Sequence, residues 1–322
     1  MSELMYATLF DRGYLLRGTA MIQSLIDHQP DAQVTVLALD WDSRQFLGTR
    51  FANDNVTVLQ LDDLPEDAVW SARLTRIYRD FCWTLSSVLC DQLLVSHNEV
   101  VYLDADILFF NNPAELITQC REGEVAAVPH GFPERLRAYE ANGIFNVQWV
   151  YFGGHQGREA CQRWKAQCLE CCSLNPEAGV VGDQLYLDEW PSRYSGFVSL
   201  DNLGVGVAPW NHELRGPRND SGTWKVNGDE PLVFYHFHGM KIAESGVVTM
   251  SGPIYSEVEP LPQPLYTEYL QKLAAEWGSA QYLIPEPNPS TWTIADDRRT
   301  VTSLVRRSAQ FAISSLSRSR RS

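Results

Sequence analysis

This sequence lacks any run of roughly 20 uncharged apolar residues, the length a membrane-spanning helix needs. Its opening stretch has only a brief apolar run between Glu3 and Asp11, so it does not read as a secretory signal. No disulfide framework is present either. Cys82, Cys90, Cys120, Cys161, Cys168, Cys171 and Cys172 are odd in number and irregular in spacing, the usage expected of a reduced, cytoplasmic protein. "CLECC", residues 168–172, holds one C-x-x-C without a second ligand pair for a structural zinc, so small buried thiols are expected. No G-x-S-x-G, Walker-type loop or G-x-G-x-x-G follows a strand and opens a helix. That removes the serine elbow and the two commonest phosphate cradles. Basic charge is also scarce. The net charge is −14, made of +7 from seven Arg in residues 298–322 and −21 from the rest, so nucleic acid is not an expected partner.

What is present suffices for a large core: 44% of the 322 residues are hydrophobic, and ten Trp argue against disorder. "MYATLF" reads as a first strand, followed by the loop "DRGY" and an amphipathic helix that turns Leu16, Ala20, Met21, Leu25 and Ile26 inward. "VTVLALD" and "VTVLQL" read as two more strands, residues 68–96 as mainly helical, "EVVYLDADILFF" as one strand and "EVAAVPH" as another. Pro113 stands where a helix can begin, and "AELITQC" continues it. Nearly all-apolar strands alternating with helices predict an α/β fold, a mainly parallel central sheet flanked by helices. Beyond residue 140 the alternation loosens: "IFNVQWVYFGG" reads as a strand, residues 157–172 as a helix and "VGDQLYLDEWP" as a short helix. The expectation is one domain over residues 1–249, then a Pro-rich wrapping segment and a basic amphipathic tail over residues 250–322.

The stretch "VVYLDADILFF", residues 100–110, carries the chemistry. In extended chain, residues i and i+2 point the same way, so Asp104 and Asp106 present two carboxylates together. Their repulsion in a poorly hydrated place is costly unless a cation lies between them. Carboxylate oxygens suit Mn²⁺ or Mg²⁺, which also take phosphate oxygens. In open α/β sheets, ligands gather at the carboxyl ends of strands, where this pair falls.

"VVYLDADILFFNNPAEL" resembles the metal-binding D-x-D segment of glycosyltransferases with the nucleotide-diphospho-sugar transferase (GT-A) fold. It is most similar to glycosyltransferase family 8 and its bacterial relatives. The resemblance implies a GT-A fold, Mn²⁺ (or Mg²⁺) as cofactor and a UDP-sugar as donor. By it, Asp104, Ala105 and Asp106 contact metal and diphosphate. "ATLFDRGYLLRGTAMIQSL" resembles the family's first strand, loop and helix, so Ala7 and Thr8 line the uridine site, Asp11 meets the uracil edge and Tyr14 stacks. "IFNVQWV" resembles the F-N-x-G strand and puts Asn146 near donor sugar and acceptor, although Gln148 stands where Gly is usual. "GDQLYLDEW" resembles the D-Q-x-x-L-N segment, setting Asp183 and Gln184 beside the anomeric carbon, with Asp188 in the usual Asn place. "VFYHFHGMK" resembles the H-F-x-G-x-x-K segment: His236 is then the third metal ligand, His238 the variable position, and Lys241 the diphosphate cation, one residue early. The basic residue usual in the helix before the D-x-D strand has two candidates, Arg76 and Arg79. Trp210 and Asn211 are expected to shape the acceptor side.

The expected function is metal-dependent transfer of a sugar from a nucleotide diphosphate to an acceptor hydroxyl, with retention, in surface polysaccharide or glycolipid synthesis. Catalytic roles fall to Asp183, Gln184 and Asn146. The alternatives are a sugar-nucleotide pyrophosphorylase, which needs a Gly- and basic-rich loop that "ATLFDRGY" does not supply, and a non-enzymatic carbohydrate-binding protein. In the tail, Val301, Leu304, Val305, Ala309, Ala312, Ile313 and Leu316 recur at helical spacing among the Arg residues. Such a segment suits peripheral contact with the inner face of the cytoplasmic membrane and a saccharide or glycolipid acceptor; it can instead dock on the acidic body.

Overall fold

Strand β1, Leu4–Phe10, feeds two cores by alternation. Met5, Ala7 and Leu9 enter one; Tyr6 and Phe10 enter the other. The computed structural model describes residues 4–64, 67–174, 181–202, 204–255 and 260–295. The following strands are β2 (Gln33–Ala38), β3 (Val56–Leu59), β4 (Glu99–Leu103), β5 (Ile107–Phe109), β6 (Val125–Pro129), β7 (Phe145–Gly153) and β8 (Phe197–Ser199). Seven of them form one sheet in the order β3-β2-β1-β4-β7-β6-β8, and β7 alone runs against its neighbours. Helices α1 (Leu15–His28), α2 (Trp41–Arg50), α3 (Asp67–Thr75), α4 (Tyr78–Leu94), α5 (Ala114–Cys120) and α6 (Gly154–Glu170) connect them. On one face α1 packs Leu16, Met21 and Leu25 against Val34, Val101 and Leu103; on the other, Phe81, Leu85 and Trp164 of α4 and α6 meet Val100, Val150 and Phe152. The mainly parallel sheet flanked by helices is the one the alternation predicts.

One reading is corrected. Residues 99–110 are two strands rather than one. Asp104-Ala105-Asp106 is a turn between β4 and β5, and β5 leaves the main sheet to pair antiparallel with the strand Phe234–His236, Ile107 opposite His236. Buried apolar residues lie on either side of the turn, so composition hides the break.

An aromatic knot fixes that second pairing. Trp149 of β7 stacks on Phe234 at 5.7 Å, and Phe109 meets both at 6.3 and 5.8 Å between ring centroids. Nearby, Gly206 sits in a left-handed turn of the backbone. It adopts φ +63°, and a Cβ there would come within 2.3 Å of Val128 Cγ1.

The segment read as Pro-rich wrapping contains an 18-residue helix, Gln263–Ala280, which packs Leu265, Tyr266, Tyr269 and Leu273 into the core beside α1. Pro262 and Pro264 signal a loop by composition, yet in the first turn of a helix proline costs no hydrogen bond. Arg50 grips Glu276 of this helix through two bonds of 2.9 Å, and the buried pair Arg17–Glu286 at 2.9 Å ties the chain beyond it to α1. Among the described residues no helix is long and apolar enough to cross a membrane. The basic tail of residues 298–322 lies outside the described residues.

Trp149 is fully buried at the centre of this packing. Trp149→Ala should lower unfolding free energy by about 3–5 kcal/mol in urea titration. A loss under about 1 kcal/mol would mean that the knot does not hold β5 to the sheet.

Candidate functional site

A cavity of about 720 Å³ opens beyond the carboxyl ends of β1 and β4. At the end of β1, Asp11 caps the next turn, its Oδ1 accepting the Gly13 N–H at 2.9 Å. Its Oδ2 accepts the Tyr78 hydroxyl, also at 2.9 Å, so α4 closes over the β1 loop. Tyr14 lies alongside, 46% exposed, with the Arg17 guanidinium over its ring.

At the end of β4 the turn directs Asp104 and Asp106 to one place, and the pairing of β5 brings His236 to meet them. One ligand atom from each of the three lies within 4.8 Å of the others. His236 Nε2 is 3.0 Å from Asp106 Oδ1. Burial pushes the Asp104 carboxyl up to about 7, with His236 opposing and Asp106 adding to the rise. Burial would raise Asp106 too, but His236, His238 and Arg17 outweigh it and hold that group low, at about 2. His236 is raised by the two aspartates despite its burial. Two carboxylates and one imidazole, facing one another at the base of a cavity, are a donor set for a hard or borderline divalent cation. His238 lines the cavity but stands outside the trio; burial and the neighbouring His236 hold it down at about 4.

Asp183 and Gln184 line the opposite wall. Asp183 accepts the Ser86 hydroxyl at 3.2 Å, and burial together with the charge of Asp104 raises its carboxyl to about 7. Gln184 donates to the Asn142 carbonyl at 2.7 Å and accepts from Asn146 at 3.3 Å. The Asn146 amide also reaches His130 Nε2 at 3.0 Å, while His130 Nδ1 meets the Ile144 carbonyl. Burial lowers His130 to about 4, so this imidazole is neutral and fixed in one tautomer. Asp188, in the place of the usual Asn, accepts the backbone N–H groups of Ile144 and Phe145 and so anchors the start of β7.

The structure thus gathers Asp11, Tyr14, Asp104, Ala105, Asp106, Asn146, Asp183, Gln184 and His236 around one cavity. Ala7, Thr8, Lys241, Arg76, Trp210 and Asn211 are not among its lining. Ala7 and Thr8 are fully buried within β1, whose last residues Leu9 and Phe10 reach the cavity instead. Lys241 is exposed on a short strand paired with Thr249, consistent with its one-residue offset from the resembled motif. Of the two arginine candidates, Arg79 lines the cavity over the Trp83 ring, whereas Arg76 bonds the carbonyls of Cys168 and Leu169. Trp210 and Asn211 are buried supports that both donate to the His130 carbonyl. Tyr78, Trp83, Ser86 and His130 went unread. Tyr78, Ser86 and His130 become visible only through contacts with residues distant in sequence, Asp11, Asp183 and Asn146.

No protein-family model matches the chain. It is similar to two uncharacterized Bacillus subtilis proteins: YfnD, 25% identical over 293 residues (89% of this chain, 94% of the relative), and YfnF, 24% identical over 294 residues (88% and 96%). Among solved structures it is similar to the galactosyltransferase LgtC, seen in complex with donor and acceptor sugar analogs. The TM-score is 0.52 at 16% identity, covering 85% of this chain and 99% of that one. The bifunctional glycosyltransferase WbbM matches at TM-score 0.50 and 15% identity, covering 87% of this chain and 51% of that one. The chain has the GT-A fold.

The raised carboxyl of Asp183 yields a stability prediction. A folded value near 7 against an unfolded value near 4 means that its contribution is full below about pH 4 and lost as pH rises through 7. Asp183→Asn, which removes the charge at similar size, should make the metal-free protein more stable at pH 8 by up to about 4 kcal/mol. At pH 4 the difference should vanish. Thermal unfolding with a chelator across this range checks the sign; a variant less stable at pH 8 would contradict the assignment.

Proposed function

We propose that this chain is a metal-dependent glycosyltransferase that moves a sugar from UDP to an acceptor hydroxyl. The observation that carries the reading is the convergence of Asp104, Asp106 and His236 at the base of a cavity whose far wall holds Asp183 and Gln184. The GT-A fold supports it. Asp104, Asp106 and the Nε2 of His236 would hold Mn²⁺ or Mg²⁺, which supplies charge neutralisation for a departing diphosphate.

The chain's own groups divide the remaining work. Asp11 and Tyr14, on the β1 side, receive the base. Arg79, which lines the cavity and is paired with Asp80, carries the guanidinium that would meet the diphosphate. Asp183, Gln184 and Asn146 contact the transferred sugar and orient the acceptor near the anomeric carbon, a proximity effect. Retention follows from the resemblance to a retaining family, with the acceptor attacking the face that the diphosphate leaves.

For the acceptor, a saccharide carried on an apolar anchor is favoured. Leu74, Ile77, Tyr78 and Leu174 are 88%, 60%, 52% and 41% exposed, and Tyr78 and Leu174 also line the cavity. Exposed Tyr78 and Leu174 at the cavity suit an amphiphile, and the basic tail suits an anionic membrane surface. Both features support a role in surface polysaccharide or glycolipid synthesis, peripheral to the inner face of the membrane. A pyrophosphorylase is disfavoured because residues 11–14 form a short turn capped by Asp11, where that reaction needs a Gly- and basic-rich loop.

A panel of UDP-sugars scored by UDP release, with and without Mn²⁺, tests the reading. Chelation should abolish release and Mn²⁺ restore it; Asp106→Ala with full activity after metal removal would defeat the metal assignment. Alanine at Asp183 or Gln184 should cut turnover by ~10²-fold or more with UDP affinity nearly unchanged, as for a contact made in the transition state. Lost UDP affinity at a normal turnover number would move both residues to the nucleotide.

A further inference from the structure

Gln148 is fully buried on β7 and touches both halves of the site. Its backbone N–H donates to Asn146 Oδ1 at 2.9 Å, and its carbonyl accepts the Asp104 N–H at 3.2 Å. Its side-chain Oε1 lies 3.1 Å from His236 Nδ1. The first two bonds use the main chain, which any residue provides. The third needs an acceptor at the end of this particular side chain. Its amide Nε2 finds no partner among the described residues, a costly condition for a buried donor. Room for the amide comes from Gly206, where a Cβ would stand 3.2 Å from Nε2. A side chain that leaves a buried donor unpaired in order to deliver one acceptor is not explained by packing.

We propose that Gln148 is a positioning residue that holds the Nδ1–H of His236 on its Oε1 and so aims the Nε2 lone pair at the Asp104–Asp106 cluster. Imidazoles that ligate metals donate their other ring N–H in this way, to a carboxylate, carbonyl or water, and that partner fixes tautomer and ring orientation. Here a carboxamide does it. A cation held there would meet the Nε2 lone pair, with the Nδ1–H donated to Gln148 Oε1. The inference rests on reading the three ligands as a metal site.

The test is Mn²⁺ binding to the full chain by electron paramagnetic resonance titration at one fixed pH, alongside thermal unfolding without metal. Gln148→Met keeps the volume and both main-chain bonds but removes Oε1. Its dissociation constant for Mn²⁺ should rise roughly 10- to 100-fold. Its unfolding temperature should hold or increase, because the unpaired Nε2 is gone. Gln148→Glu restores an acceptor and should bind Mn²⁺ within about tenfold of wild type. The proposal is overturned if Gln148→Met binds like wild type, if it loses stability together with affinity, or if Gln148→Glu binds as poorly as Gln148→Met. Wild-type protein that binds no Mn²⁺ would overturn the metal reading itself.

Discussion

Two carboxylates that repel each other set the terms for this structure. Asp104 and Asp106 face one place at the end of β4, where protein on most sides limits their hydration. Leaving both ionised there is unfavourable, and the fold answers in two ways. Asp104 is pushed toward its protonated form, while Asp106 stays ionised by leaning on His236. A divalent cation relieves the same repulsion more completely, since it takes both carboxylates and needs only the loss of protons. The cost of the pair is therefore a form of preorganisation.

Holding that arrangement requires long-range packing. The turn bearing the aspartates is short, but His236 arrives 130 residues later on a strand that pairs with β5 outside the main sheet. Trp149, Phe109 and Phe234 lock this outlying pair to β7. On the other side Phe237 stacks on Tyr269 at 3.8 Å, so the helix Gln263–Ala280 backs the residue next to His236. The late segment thus bears on the site through packing, and the Arg50–Glu276 and Arg17–Glu286 pairs keep it in place. The site depends on residues that never approach a substrate.

Sequence reasoning reached the sheet because β1, β2, β4 and β7 are apolar on both faces and separated by helical periodicity. It reached Asp104, Asp106, His236 and Asp183 because each lies in a short motif with its own chemistry. It stopped where a role depends on a partner rather than on a residue type. Gln148 reads as a departure until His236 is seen beside it. Ser86 is an ordinary helix serine until its hydroxyl meets Asp183, 97 positions away. Arg76 and Arg79 are three residues apart on adjoining turns, and only the position of α6 sends one to its carbonyls and leaves the other in the cavity. The break after Leu103 was illegible because buried turns and buried strands can share one composition.

The balance of charge in the cavity decides what it can hold. Among the described residues its lining carries four carboxyl groups, Asp11, Asp104, Asp106 and Asp183, against one guanidinium, that of Arg79. Arg17 is committed to Glu286, and Arg76 and Lys241 point elsewhere. A diphosphate entering this space meets like charge, and the low-dielectric walls would make that repulsion stronger than in water. On the proposed reading, one divalent cation on Asp104, Asp106 and His236 would cancel the two carboxylate charges at the base of the cavity, where the diphosphate would lie. On that reading the acidic lining would be selective: it would disfavour anions until the cation is present, with Asp183 on the wall away from the metal ligands. In a cavity with several lysines the cation would be an aid to binding. Here, on the proposed reading, it would be the condition for it.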